Sequence, residues 1–347
     1  MKVFSNASII LKTMGVVFLL AGCSKEAPRV VLYCAQDKEF AEQILDIFSQ
    51  ENGLAVAAKY DTEANKSVSL YMELVQEKSR PRCDVYWNNE ILSTIRLQQQ
   101  GLLEPYASPS AEPFPPFARA KDQTWTAFGE RARVLLVNTS LVPKKDWPYS
   151  ILDLTLPEWQ GKVGMAKPQF GTTATQAACL FEVLGTDEAK RFYLGLKKNK
   201  VQIVAGNKQA AEGVSQGQFS VGFTDTDDAL LEIQAGHPVT MIFPDGRRQP
   251  PERMGTLFIP NTVAIIKGCR NPTGARRLVD YLLRPEVETK LAEGGSHQIP
   301  LNPDVQAPLP QQMETRKTIK AMDVDFEKAA ALWTEVQKFL ENEFARP

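Results

Sequence analysis

The segment Thr224-Asp225-Thr226-Asp227-Asp228 sets three carboxylates within four residues. Such a cluster repels itself unless a cation, an arginine or helix N-terminal amides offset it. Oxygen ligands from Asp225 and Asp227 suit a hard metal ion. The glycine and distal glutamate of an EF-hand loop are missing, and plain helix capping by Asp225 competes. Gly171-Thr172-Thr173 opens a helical stretch, where amides aided by hydroxyls make a ready anion site; capping by either threonine is the simpler account. Arg131 and Arg133, two residues apart in a strand-like run, point to one face. There a guanidinium would grip a carboxylate or phosphate in two-pronged fashion, or serve a structural ion pair.

Asp37 follows the first strand-like run and offers a carboxylate to a cation or amine, or an N-cap to the next helix. Asn88, Asn89 and Glu90 end another such run, where amides and a carboxylate can orient a ligand. Asn207, where a later helix begins, joins these ligand-binding candidates. Catalysis finds less support. The sequence holds two histidines, His237 and His297, of which His237 sits in the turn-like Ala235–Pro238 rather than beside an obvious nucleophile, and no Gly-x-Ser-x-Gly elbow or P-loop. Cys34 is the best nucleophile candidate but lacks an evident base, so the chain is read as a binder rather than an enzyme.

The candidates sit at the ends of short strand-like runs that alternate with amphipathic stretches, the pattern of an α/β fold around mostly parallel sheets. Val30–Tyr33 leads into a helix with Phe40, Ile44, Ile47 and Phe48 on one face. Five prolines between Pro105 and Pro116 exclude regular helix or central strand, predicting a surface connection. Beyond it, Thr124–Phe128 and Val134–Val137 read as paired strands flanking residues 129–133, a first crossing between lobes. Thr262–Ile266 reads as a returning strand, and Leu332, Val336, Leu340 and Phe344 as one face of a final helix.

At 347 residues the chain is long enough for two lobes. Its 40 basic and 41 acidic residues, without long blocks, give no phosphate-tracking surface and argue against nucleic acid as a partner. Lys2 and Lys12 precede the apolar run Met14–Gly22, too short to span a bilayer and shaped like a secretory signal peptide over residues 1–22. Cys34, Cys83, Cys179 and Cys269 show no zinc-type spacing, and which of them would pair in an oxidising compartment is open.

Leu20-Ala21-Gly22-Cys23 resembles a bacterial lipobox, which implies lipidation of Cys23, a linker over 23–27 and an anchor on the periplasmic or cell-surface side of a membrane. Ser24 is compatible with outer-membrane sorting by the same analogy. Several stretches resemble the bacterial extracellular solute-binding proteins that include the ferric-ion-binding periplasmic proteins of ABC importers. They are Tyr33–Asp37, Tyr60–Lys66, Asp84–Glu90, Arg131–Val134, Asp153-Leu154, Pro157–Lys162 and Asn271–Ala275. The resemblance covers nearly all the mature chain. It implies a two-lobed type II periplasmic binding protein fold with crossing hinge strands, residues 28–130 plus 256–303 in one lobe and 131–255 plus 304–347 in the other. It also implies a monomer that closes on a small ligand and delivers it to permease and ATPase subunits, with no resident cofactor. The leading cargo is ferric iron, held with a synergistic anion or as a complex. Iron-binding members place paired tyrosines where this chain has Thr226 and Asp227. A polyamine, phosphonate or sugar phosphate is the alternative cargo, with a tethered sensor or an enzyme behind it.

Overall fold

The computed structural model describes residues 1, 29–61, 68–247 and 254–344. The leader, Cys23, Ser24 and residues 62–66 of the Tyr60–Lys66 stretch lie outside them. Three strand-helix units come first: β1 (Arg29–Cys34) with α1 (Lys38–Asn52), β2 (Ala55–Tyr60) with α2 (Val68–Gln76), and β3 (Val85–Asn88) with α3 (Leu92–Gln99). The helical period turns Ala41, Ile44, Leu45 and Phe48 of α1 inward, and the helix stops at Gly53, whose φ of 58° suits glycine. β4 (Leu103–Glu104) and two short 3-10 turns lead to β5 (Trp125–Asn138).

A second series follows: β6 (Val163–Ala166), α4 (Gly171–Leu184), α5 (Thr186–Lys198), β7 (Gln202–Val204), α6 (Asn207–Ser215), β8 (Val221–Asp225), α7 (Thr226–Gln234) and β9 (Val239–Ile242). The chain returns through β10 (Phe258–Ile266), α8 (Pro272–Leu282), α9 (Pro285–Glu293) and α10 (Phe326–Phe344). Asn271 caps α8 through a side-chain bond from the Gly274 amide of 2.9 Å, as its Asn-Pro start suggests.

The strand order is β2-β1-β3-β10-β5-β8-β6-β7, with β4 added on β10 and β9 on β5. β1 is parallel to β2 and β3, and β6 to β7 and β8, so two sets of carboxyl-terminal loops are formed. β5 joins the two sets. Residues up to Ala132 pair with β10, whereas Arg133 to Asn138 pair with β8 and β9. The two paired strands expected at Thr124–Phe128 and Val134–Val137 are therefore corrected to one strand of 14 residues, buried along its length. Gly129 allows this, because it bends at φ 50° without ending the ladder, and β10 answers with a register shift between Pro260 and Asn261. The α/β architecture is two-lobed, with β5 and β10 crossing at its waist. α10 packs on both α3 and α4, one from each series. Among the described residues no helix is long and apolar enough to cross a membrane.

Candidate functional site

Parallel strands present their following loops on one side, where polar side chains and helix starts converge. Loops from both series enclose a cavity of about 280 Å³. Asp37 reaches it from the end of β1, Asn89 from the end of β3 and Arg131 from β5. The second series adds Gly171, Thr172 and Thr173 at the start of α4, Asn207 at the start of α6, and Asp225 and Asp227 around the start of α7. Nine of the twelve sequence candidates for ligand or metal thus line one space, and Asn88, Glu90 and Arg133 do not.

The reasons are local. Strand alternation turns Asn88 away from Asn89, and the Asn88 amide donates to the Glu90 carbonyl and to Glu90 Oε1 and Thr94 Oγ1 at 3.1 and 3.3 Å. Glu90 is buried with its carboxylate turned inward. It accepts from the Leu92 and Ser93 amides of the first turn of α3 at 2.6 and 2.9 Å, and from the Thr175 hydroxyl of α4 at 2.9 Å. A carboxylate is favoured at unsatisfied helix-start amides, which explains its inward turn.

Arg133 lies behind the cavity rather than in it. Its guanidinium meets Asp225 Oδ1 at 2.7 Å and donates to Gln176, Asn207, Thr172 and Thr173 at 3.1 to 3.4 Å. The other oxygen of Asp225 accepts from the Thr172 hydroxyl at 2.6 Å and the Asn207 amide at 3.0 Å. The hydroxyl expected to hold an outside anion thus serves an internal one, and three loops are stitched to a single buried carboxylate.

Arg131 is the guanidinium that reaches the cavity. It lies 3.6 Å from Asp227 and donates to Gln36 at 3.1 Å, while its Nε is buried without a partner. Burial alone would disfavour its charge, but Asp227, Asp225, Asp37 and Asp228 outweigh that and hold its pKa above the ordinary value. Gln36 passes the connection on, accepting from Gln298 at 3.1 Å. Asn261 then donates to Gln298 at 2.5 Å and to the Gly129 carbonyl at 2.6 Å. A buried polar chain therefore runs from the cavity wall to the waist of the molecule.

Asp225, Asp227 and Asp228 each offer an oxygen within 4.8 Å of the others. A cation placed there would compete with Arg133, Thr172 and Asn207 for Asp225 and with Arg131 for Asp227. The described lining includes no tyrosine, histidine or cysteine. Among the described residues no disulfide forms, and Cys34 is fully buried.

Asp228, noted in the sequence only as part of the acidic turn, lines the cavity as well, and so do Glu39, Lys167 and Lys208, which sequence reading passed over. Lys167 and Lys208 could have been found, since Lys167 follows β6 one turn before Gly171 and Lys208 stands next to Asn207 in the first turn of α6. α1, α4, α6 and α7 all start at the cavity, and none has a side-chain capping bond. Their first-turn amides are the least satisfied donors of those helices.

Residues 93–329 match the family model described as bacterial extracellular solute-binding protein. The major ferric iron-binding protein of Neisseria meningitidis is 26% identical over 80% of this chain and 82% of its own length. Iron-bound HitA of Pseudomonas aeruginosa superposes with a TM-score of 0.79 at 22% identity, covering 90% of this chain and 99% of that one. AfuA of Actinobacillus pleuropneumoniae, with fructose 6-phosphate bound, also gives 0.79, at 24% identity over 92% and 99%.

Proposed function

Because this chain belongs to the bacterial extracellular solute-binding protein family, we propose that it is the substrate-capturing component of an ABC importer and that its cargo is a small phosphorylated polyol rather than a bare ferric ion. The observation that carries this reading is the pairing of Arg133 with Asp225 and of Arg131 with Asp227. Two of the three clustered carboxylates already have cationic partners, so the acidic turn is not an open cage for a metal. Around it, Lys167, Lys208 and the uncapped starts of α4 and α6 supply donors for a phosphate. Asp37, Glu39 and Asp228 supply acceptors for hydroxyls. A space of about 280 Å³ suits a solute of hexose phosphate size better than one ion.

The proposal includes lipid attachment at Cys23, permease and ATPase subunits as partners, a monomeric state, and lobes made of residues 28–130 plus 256–303 and 131–255 plus 304–347, closing by rotation at the waist. One observation favours a second reading, ferric capture: the oxygens of Asp225, Asp227 and Asp228 lie close enough to share a hard cation. Spermidine/putrescine-binding relatives, matching 41% of this chain, make a polyamine the third cargo to screen.

Thermal unfolding of the purified protein with fructose 6-phosphate, ferric citrate or putrescine separates the three. At a hundredfold excess over Kd the true cargo adds about 2.7 kcal/mol by mass action. Fructose 6-phosphate is expected to raise the melting temperature, and Lys208→Gln to remove most of that rise. A shift with ferric citrate or putrescine and none with the sugar phosphate sinks the leading reading.

A further inference from the structure

Beside the cavity runs a groove of about 570 Å³ between α2, α3 and α10, and Lys167 and Phe170 line both spaces. The groove therefore adjoins the cavity at the loop that precedes α4. Its wall holds an unusual cation. The guanidinium of Arg96 lies over two rings, 4.0 Å from the centre of Tyr71 and 4.7 Å from that of Trp333. A guanidinium held against aromatic rings keeps its in-plane N–H groups for an anion. Among the described residues no carboxylate pairs with it. Glu90, the carboxylate whose field reaches it, is committed to the α3 amides and Thr175.

Two further observations point to an occupant. Gln337, on α10, also lines the groove, and its Nε2 is buried without a hydrogen-bond partner. Such a donor is costly unless something accepts from it. The charged residues of the wall are Arg96, Lys167 and Lys338 against Glu341 alone, so the groove is net positive although the cavity beside it is rich in carboxylates. Met72, Phe170 and Phe344 add apolar surface around these donors.

We propose that the groove is a second subsite of the ligand cleft, where Arg96 grips a carboxylate or phosphate carried on a flat body, the solute passing Phe170 to place its polar end in the cavity. This rests on the reading of the cavity as a solute site. The cargo class is accordingly a two-part molecule, a phosphorylated polyol joined to a planar anionic group. Arg96 sets the preference for the second part.

The test uses the purified protein with 1-naphthyl phosphate and 1-naphthoate as groove probes and fructose 6-phosphate as cavity probe. Binding is read by calorimetry and by Trp333 emission, with Trp333→Phe as the control. Both naphthyl anions are expected to bind and to quench an emission that the control lacks, and the tighter of the two tells phosphate from carboxylate. Arg96→Ala should weaken them at least tenfold while fructose 6-phosphate affinity stays within twofold. Met72→Glu, at a site already 48% exposed, should weaken them by charge repulsion without touching the core. A ternary complex with fructose 6-phosphate supports two subsites of one cleft. No naphthyl binding, indifference to both substitutions, or displacement of the naphthyl probe by fructose 6-phosphate overturns the proposal. Failure of fructose 6-phosphate alone removes the cargo assigned to the cavity and leaves the groove's result intact.

Discussion

Arg133 and Asp225 form an ion pair of 2.7 Å with side chains only 2% and 3% exposed, at the meeting point of three cavity loops. Neither charge has water to fall back on. Asp225→Ala should therefore destabilise the protein by about 3–5 kcal/mol, the usual cost of leaving one buried charge unpaired. Urea unfolding measures it. Replacing both residues with apolar ones of similar volume should recover most of the loss; if the double variant is as weak as the single, the pair is not the cause.

The bond from Thr175 to Glu90 links α4 to the start of α3 across the waist, and both groups are buried. Thr175→Val keeps the shape and removes the donor. Glu90 retains its two amide bonds, so the expected cost is about 1 kcal/mol. A loss above about 3 kcal/mol would mean that the hydroxyl does more than this one bond implies.

Glu130 carries a pH dependence of definite sign. Burial pushes its carboxyl up to about 7, against the pull of Arg316 at 2.8 Å and with a push from Glu288. The ordinary value is 4.5, so between these pH values the folded chain holds a proton that the unfolded chain has released. Unfolding free energy then falls as pH rises through that window and levels off above it, by on the order of 3 kcal/mol. Glu288 is raised in the same direction, first by burial, and leaves a residual slope. Urea midpoints at several pH values should show Glu130→Gln flattening the profile. An unchanged slope would assign the dependence elsewhere.

Gly129 sits at φ 50°, and a Cβ there would lie 2.7 Å from Gln298 Oε1. Its amide is also held by Glu288 at 2.5 Å. Gly129→Ala should cost about 2 kcal/mol or more, from left-handed backbone strain plus displacement of Gln298. Differential unfolding gives the number. A neutral result would mean that the bend relaxes freely.

The strand-helix alternation was legible because each element carries its own period, as the inward face of α1 does. Residues after strands were legible for the same reason, and Asp37, Asn89, Asn207 and Asp227 were singled out on that ground, while Arg131 was singled out by strand alternation. The direction of a side chain was not. Nothing local distinguishes Arg131, which faces the cavity, from Arg133, which meets Asp225 some 92 positions later in the chain. Glu90 looked like a ligand contact because the amides and hydroxyl that hold it inside belong to α3 and α4. The continuity of β5 was hidden because Gly129 and two arginines interrupt the apolar runs and read as a crossing between two strands, while the strands that pair with them lie elsewhere in the sequence.

One uninterrupted strand serves both halves, so the molecule has no slack tether by which they could drift apart. Rotation of one half must be transmitted through the rungs of β5 on either side of Gly129. Deuterium uptake along that strand would then slow in concert when the halves come together, making its amides a gauge of how far the jaws have shut.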